Sequence, residues 1–295
     1  MEVIEANLPR DVGSIVDIFV QRTPERDRTI LRSELNRFSA RCLNAYLVYE
    51  EDGTLAGAGF TRTASNLPDA TALVLLSTRA ASGQRAIGAT LFAEMLEDLG
   101  EDVDRLVTYV CAEDQLSLDV ARQWGFNDVQ TSVTSSVDLV GSSLPAPMAG
   151  VTYEAFDDRE FTDERAVDAM LLATQTNPEF DLGLVLRLAG LRETPAPDQR
   201  PLGVLTRLEG RPAAISFSVI DGDQMHVVYT GVDPELRGRG LAGRTKEVLH
   251  ARARDLGVRT ALTDNDESNP GIRRVNERLG YAPHSSWIWM MRPWP

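Results

Sequence analysis

The sequence predicts an α/β (α+β) protein in which one fold is used twice. Three observations carry that expectation. The chain has 295 residues, and at roughly 100–200 residues per domain this length suits two domains. The same order of strand and helix patterns occurs in each half, offset by about 154 residues, as expected of diverged internal copies. Between the halves lies LVGSSLPAPMAGV (139–151), whose small residues, prolines and glycines interrupt the periodicity and read as a linker. The expected domains are therefore 1–140 and 150–295.

Each element follows in order. LNAYLVYEEDGTLAGAGFTRT reads as strand, Asp52-Gly53 turn, strand; LGVLTRLEGRPAAISFSVI reads as strand, Glu209-Gly210 turn, strand. TALVLLSTR and QMHVVYTGV are the next strands, and each leads through a glycine-containing bend into a helix, IGATLFAEMLEDLG or LAGRTKEVLHARARDLG. The strands RLVTYVCA and RTALTDN come next. Short helices follow, each ending in an aromatic after glycine: SLDVARQWGF and PGIRRVNERLGY. SVTSSVDLV alternates as a strand before the linker, and VTYEAF starts another after it.

Composition excludes several classes. Hydrophobic residues make up 43% and charged residues 25%, which suits a chain with buried cores and argues against disorder. No stretch approaches the ~20 apolar residues of a membrane helix, and MEVIEANLPRD lacks a signal peptide's apolar run, so a cytoplasmic protein without membrane partners is expected. Cys42 and Cys111 offer neither a disulfide framework nor a metal-binding spacing. The net charge of −14 argues against a nucleic-acid partner, because phosphate backbones call for a basic face. The charge is uneven: residues 1–150 carry 12 basic and 22 acidic side chains, whereas 237–278 carry 10 and 6. Lys246 is the only lysine among the 30 basic residues, an arginine bias that reads as genome composition.

Chemistry concentrates in VDPELRGRGLAG, Val232 to Gly243. A strand ends at Val-Asp-Pro and a helix starts near Leu241. Glycines between them let a ligand approach the backbone. The helix's first N–H groups, with Arg237, Arg239 and Arg244, form a potential pyrophosphate cradle. Neither a Walker A loop nor a G-x-G-x-x-G fingerprint is present. The segment resembles motif A of the GNAT superfamily of N-acetyltransferases, [QR]-x-x-G-x-[GA], which reads here Arg237-Gly238-Arg239-Gly240-Leu241-Ala242. NPGIRRVNERLGY, Asn269 to Tyr281, resembles the family's motif B. The likeness covers about 204–292.

The resemblance implies two tandem domains, each a mixed, mostly antiparallel sheet flanked by helices with a splayed parallel strand pair for acetyl-CoA. In the second copy the pair would be 224–232 and 258–264. Backbone groups near Thr230 and Val232 would meet the pantetheine and polarise the thioester carbonyl. Arg237 to Gly243 would hold the pyrophosphate, and Asn269 and Asn276 would lie near the pantetheine and thiol. The implied reaction is direct attack of a primary amine on the thioester, with no metal. A proton must leave the amine, and a histidine, with an ordinary pKa near 6.5, suits that task. His226, on the strand entering motif A, is the candidate base; Asp223 is a lesser one, acting through water. Many family members place a thiolate-protonating tyrosine where this chain has Asn276. Tyr229, Tyr281 and the C-terminal carboxylate are the possible substitutes.

The first copy departs further. Aligned on motif A it reads Gly83-Gln84-Arg85-Ala86-Ile87-Gly88, with Ala72 at the place of His226 and Ala121 at that of Asn276. A degenerate, acceptor-shaping domain is expected there. The acceptor wall falls near 161–195, where Glu179 and Asp181 could hold an amine. The acidic body favours a cationic or amino-sugar-type acceptor, and a monomer or homodimer is expected. Two other readings compete: mycothiol-synthase-like acetylation of a cysteinyl amine, and a non-enzymatic acyl-CoA-binding or sensing protein.

Overall fold

The computed structural model describes residues 1–8, 10–22, 31, 35, 42–63, 67–79, 83–157, 163–176, 188, 191 and 199–294. The chain forms two compact units, Met1–Thr131 with Ser286–Pro295, and Ser132–Ser285.

The first unit contains β1 (Glu2–Glu5), α1 (Val12–Arg22), β2 (Cys42–Tyr49), β3 (Leu55–Arg62), β4 (Thr71–Thr78), α2 (Gln84–Glu97), β5 (Arg105–Cys111) and α3 (Gln115–Gln123). Residues 127–131 of β6 (Asn127–Asp138) also belong to it. Strands β1 to β4 pair antiparallel in sequence order, and β4 pairs parallel with β5. The sheet is then extended by the chain's last strand, as Trp287–Pro293 pairs antiparallel with β5. α1 covers one face, burying Ile15, Val16 and Phe19 against Leu47, Phe60 and Leu73. α2 covers the other, burying Leu91 and Met95 against Val48, Val74 and Leu106.

The second unit repeats this plan. Its elements are β7 (Val151–Phe156), α4 (Glu164–Thr174), β8 (Arg200–Leu208), β9 (Arg211–Asp221), β10 (Gln224–Val232), α5 (Leu241–Asp255), β11 (Thr260–Asp266) and α6 (Pro270–Arg278), with the first residues of β12 (Ala282–Pro293). β7 to β10 are antiparallel, β10 and β11 are parallel, and residues 132–138 of β6 close the sheet against β11. The β8–β9 turn is the one the sequence announces: Glu209 (φ 51°) and Gly210 (φ 78°) are both left-handed, as a two-residue turn matching strand twist requires. β9 is buried along Ala213–Ile220 because helices cover both faces. Val248 and Leu249 of α5 lie over Val204, Ile220 and Met225, while Met170 and Leu171 of α4 lie over Leu205, Ile215 and Phe217.

Phe156 of β7 sits directly opposite Gly203 of β8. A methyl at 203 would come within 2.1 Å of the Phe156 ring. Gly203→Ala should therefore destabilise the second unit by about 1–3 kcal/mol, the range for overpacking a filled core. A urea midpoint equal to wild type would show that the ring moves aside without strain.

Candidate active site

The site grows from a break in the β10–β11 ladder. The strands pair from Gln224↔Thr260 through Val227↔Thr263 and no further, although β10 runs on to Val232 and β11 to Asp266. Against β9, β10 carries a bulge at Val228. A bulge adds one residue, so the side chains beyond it change face. Met225 and Val227 pack under α5, and Tyr229 packs on the α4 side. Between the diverging strands lies a cleft of about 300 Å³, bounded by Val228, Thr230, Asp264, Asn265 and Asn269.

At the cleft's end the chain bends. Asp233 Oδ1 accepts from the Glu235 amide in a single 3₁₀ turn, Gly238 and Gly240 take φ of +78° and +77°, and α5 begins at Leu241. A side chain caps α3 (Asp114), α4 (Asp163) and α6 (Asn269); none caps α5. Its first-turn N–H groups thus remain available to an anion. Arg237 stands beside them, exposed, with Nη2 donating to Thr176 Oγ1 at 2.5 Å and Nε to the Val232 carbonyl at 3.4 Å. Arg239 is exposed, and Arg244 Nη1 donates to the Ala146 carbonyl at 2.6 Å. Ala242 and Gly243 are half-buried in the first turn of α5, and Leu241 is buried under it. These residues fit a pyrophosphate-bearing donor.

His226 lies on β10 two residues before the bulge, its side chain 14% exposed, with Nε2 3.2 Å from Asp264 Oδ2. Burial pushes the Asp264 carboxyl up. Hydrogen bonding and charge from His226, the Thr134 hydroxyl and the charge of His284 outweigh it, and the carboxyl is held below its ordinary range. Asp264 borders the cleft and His226 is paired to it, so the cleft wall carries a carboxylate that sequence reasoning did not single out. Alternation along TALTDND could have flagged it as an outward residue at the strand's open end.

Other expected residues are placed as follows. Thr230 and Val232 occupy the part of β10 that β11 has left, and Thr230 Oγ1 lies 2.8 Å from Ser216 Oγ. Asn269 lines the cleft and caps α6, accepting from the Ile272 amide at 3.4 Å. Asn276 is 4% exposed and turned inward. Asp223 sits at the closed end of the strand pair, its carbonyl accepting from the amides of Arg259 and Thr260. Tyr229 OH is 2.7 Å from Thr174 Oγ1. Tyr281 OH is 2.8 Å from His250 Nε2, and burial pushes its phenol far up. Glu179, Asp181 and the C-terminal carboxylate lie outside the described residues, as does nearly all of 177–198.

The lone lysine has an unexpected place. Lys246 is fully buried on α5, Nζ donating to Asn276 Oδ1 at 2.7 Å and lying 4.4 Å from the Tyr281 ring centre. Asn276 Nδ2 in turn donates to Asn265 Oδ1. Burial lowers Lys246 from 10.5 to about 7. Burial, with the Lys246 charge, lowers His250 from 6.5 to about 3, so its imidazole is neutral at neutral pH. Between pH 7 and 10.5 the unfolded lysine keeps a proton that the folded one has lost. Unfolding then takes up a proton, and stability rises with pH across that window. Lys246→Met should flatten this rise relative to wild type in urea midpoints measured at pH 7 and 10. Parallel curves would show that the buried amine keeps its proton.

The first unit has the same ladder break. β4 and β5 pair from Thr71↔Arg105 to Leu73↔Val107 and then part. Gly83 (φ +98°) directly precedes α2, with no side-chain cap, as Gly240 precedes α5. The sequence alignment set Gly83 against Arg237; the structure makes it the counterpart of Gly240. The preceding Ala80-Ala81-Ser82 lie outside the described residues and contain no arginine. The cleft here is larger, about 960 Å³, and is walled by Phe92 and Trp124, stacked with centroids 4.1 Å apart. Ala72 and Ala121 are both buried.

No protein-family model matches the chain, and no curated protein does. Solved structures match along its whole length. A tandem GNAT protein from the clavulanic acid biosynthesis pathway aligns at TM-score 0.76 and 20% identity, covering 99% of this chain and 98% of that one. A GCN5-related N-acetyltransferase from Sphaerobacter thermophilus aligns at 0.72 and 17%, covering 99% and 95%. A GCN5-related glucosamine N-acetyltransferase region of a fungal multi-domain β-N-acetylglucosaminidase aligns at 0.72 and 13%, covering 99% of this chain and 38% of that one. The fold is that of the tandem GCN5-related N-acetyltransferases. Among the described residues no helix is long and apolar enough to cross a membrane, and no metal-binding cluster occurs.

Proposed function

We propose that the second unit transfers the acetyl group of acetyl-CoA to a primary amine of a small cationic or amino-sugar-type molecule. The observation that carries this reading is one juxtaposition. The β10–β11 cleft opens between an uncapped, arginine-flanked helix start and the His226–Asp264 pair.

Acetyl-CoA supplies the activated acyl group as a thioester. Arg237, Arg239 and the amides from Gly238 to Gly243 hold its pyrophosphate. Backbone N–H groups near Thr230 and Val232, no longer paired to β11, hold the pantetheine arm and polarise the carbonyl. The His226–Asp264 pair takes the proton that the amine must lose as its nitrogen bonds to the acyl carbon. The pair shares charge and acts as one unit. No step of the reaction is assigned to the first unit.

Two observations support the acceptor class. The chain's net charge is −14, which favours cations. One solved structure with this fold is described as a glucosamine N-acetyltransferase region. Purified protein should release free thiol from acetyl-CoA with at least one of glucosamine, a polyamine and an aminoglycoside. Tight acetyl-CoA binding with no thiol released by any of these amines would replace the enzyme reading with that of an acyl-CoA-binding protein.

A further inference from the structure

We infer that Lys246, through Asn276 and Asn265, is a positioning group that aims an amide N–H into the β10–β11 cleft to stabilise the sulfur of departing coenzyme A. The inference rests on the acyl-CoA reading proposed above.

The direction of the chain follows from donor and acceptor chemistry. A protonated lysine only donates, so the Asn276 atom 2.7 Å from Nζ is the carbonyl oxygen. That choice turns Asn276 Nδ2 toward Asn265, whose carbonyl oxygen accepts it. Asn265 is then left with its own Nδ2 for the cleft, which it lines. Hydrogen bonds in series at low dielectric polarise one another, so a buried cation at one end makes the last N–H a stronger donor.

The surroundings fit this role. Lys246 is fully buried and Asn276 is 4% exposed. The groups facing Nζ are His250 from its own helix, neutral and bonded to Tyr281, and the Tyr281 ring. Among the described residues no carboxylate pairs with Lys246. Without ligand the cation lacks an anion, and burial lowers Lys246 to about 7; a thiolate in the cleft supplies that anion through two amides and so keeps the proton on Lys246 to higher pH. The amides keep their protons: they stabilise charge and transfer nothing. A phenol in this position, as many members of the fold family have, would act by donating its proton instead.

The test uses coenzyme A itself, with desulfo-coenzyme A as the thiol-free control. Bound coenzyme A is titrated by the ultraviolet absorbance of its thiolate, and both ligands are titrated calorimetrically. In wild type the bound thiol should ionise at lower pH than in Lys246→Met or Asn265→Ala, by about tenfold in acid dissociation constant, and desulfo-coenzyme A reports the affinity of each protein without the sulfur. Equal ionisation in the three proteins overturns the inference and leaves the acyl-CoA reading intact. Failure of wild type to bind either ligand overturns both. If Lys246→Met does not fold, Asn265→Ala decides alone, since it changes a half-buried side chain at the cleft wall.

Discussion

Arg237→Ala combined with Gly240→Glu should weaken acetyl-CoA binding by at least about 100-fold, close to 2.8 kcal/mol. Three effects add. The arginine's charge-assisted bond is worth about 1.5–3 kcal/mol. A carboxylate facing the helix start repels the anion that the dipole would otherwise favour. Gly240 holds φ at +77°, a region that costs a residue with a side chain about 1–2 kcal/mol. Titration calorimetry reads the loss, and circular dichroism checks the fold. The matching change in the first unit, Gly83→Glu, should leave the affinity as it was. An equal loss there would place the donor in the first unit and remove the asymmetry between the two copies.

The second large effect belongs to the proton acceptor. His226→Ala and Asp264→Asn should each lower kcat by about 100-fold or more, the scale of general-base catalysis, with little change in acetyl-CoA affinity. The pair must be deprotonated to act, so the wild-type rate should fall as pH drops through its apparent pKa. The variants should lose that acid limb. Steady-state thiol release across pH, with whichever amine of the panel turns over, measures both. Unchanged kcat in His226→Ala at every pH would remove the histidine from the mechanism. The same result in Asp264→Asn would leave the histidine acting alone.

Much of the fold was legible in the sequence, because local periodicity and turn chemistry wrote it there. The Glu209-Gly210 turn, the glycines before α5 and the Asn269-Pro270 cap are each fixed by a residue type that the backbone conformation demands. Other features depend on contacts far apart in the chain. SVTSSVDLV alternates as a strand should, but alternation does not name a partner, and its pairing with β11 is visible only in three dimensions. The first copy does not keep motif A, so matching it on that motif misplaces its helix start by a few residues; the helix-start glycine, Gly83 or Gly240, is the feature the backbone preserves. Asp264 is 38 residues from His226, and their meeting depends on the parallel ladder setting His226 opposite Leu262. Lys246 was hardest to place, since a lysine on an amphipathic helix is ordinarily solvated. Its solitude among arginines was the one hint, and composition offered an ordinary explanation for it.

The last strand of the first unit's sheet comes from residues 287–293. This bears on how the protein is made. Chains usually fold domain by domain from the N-terminus as they leave the ribosome. Here β5 has no partner on its outer side until residues 287–293 have been synthesised, and an open strand edge invites pairing with other chains. The second unit can draw every one of its strands from residues already translated. The unit whose elements emerge first is therefore the one whose sheet is finished last, once residues 287–293 have emerged.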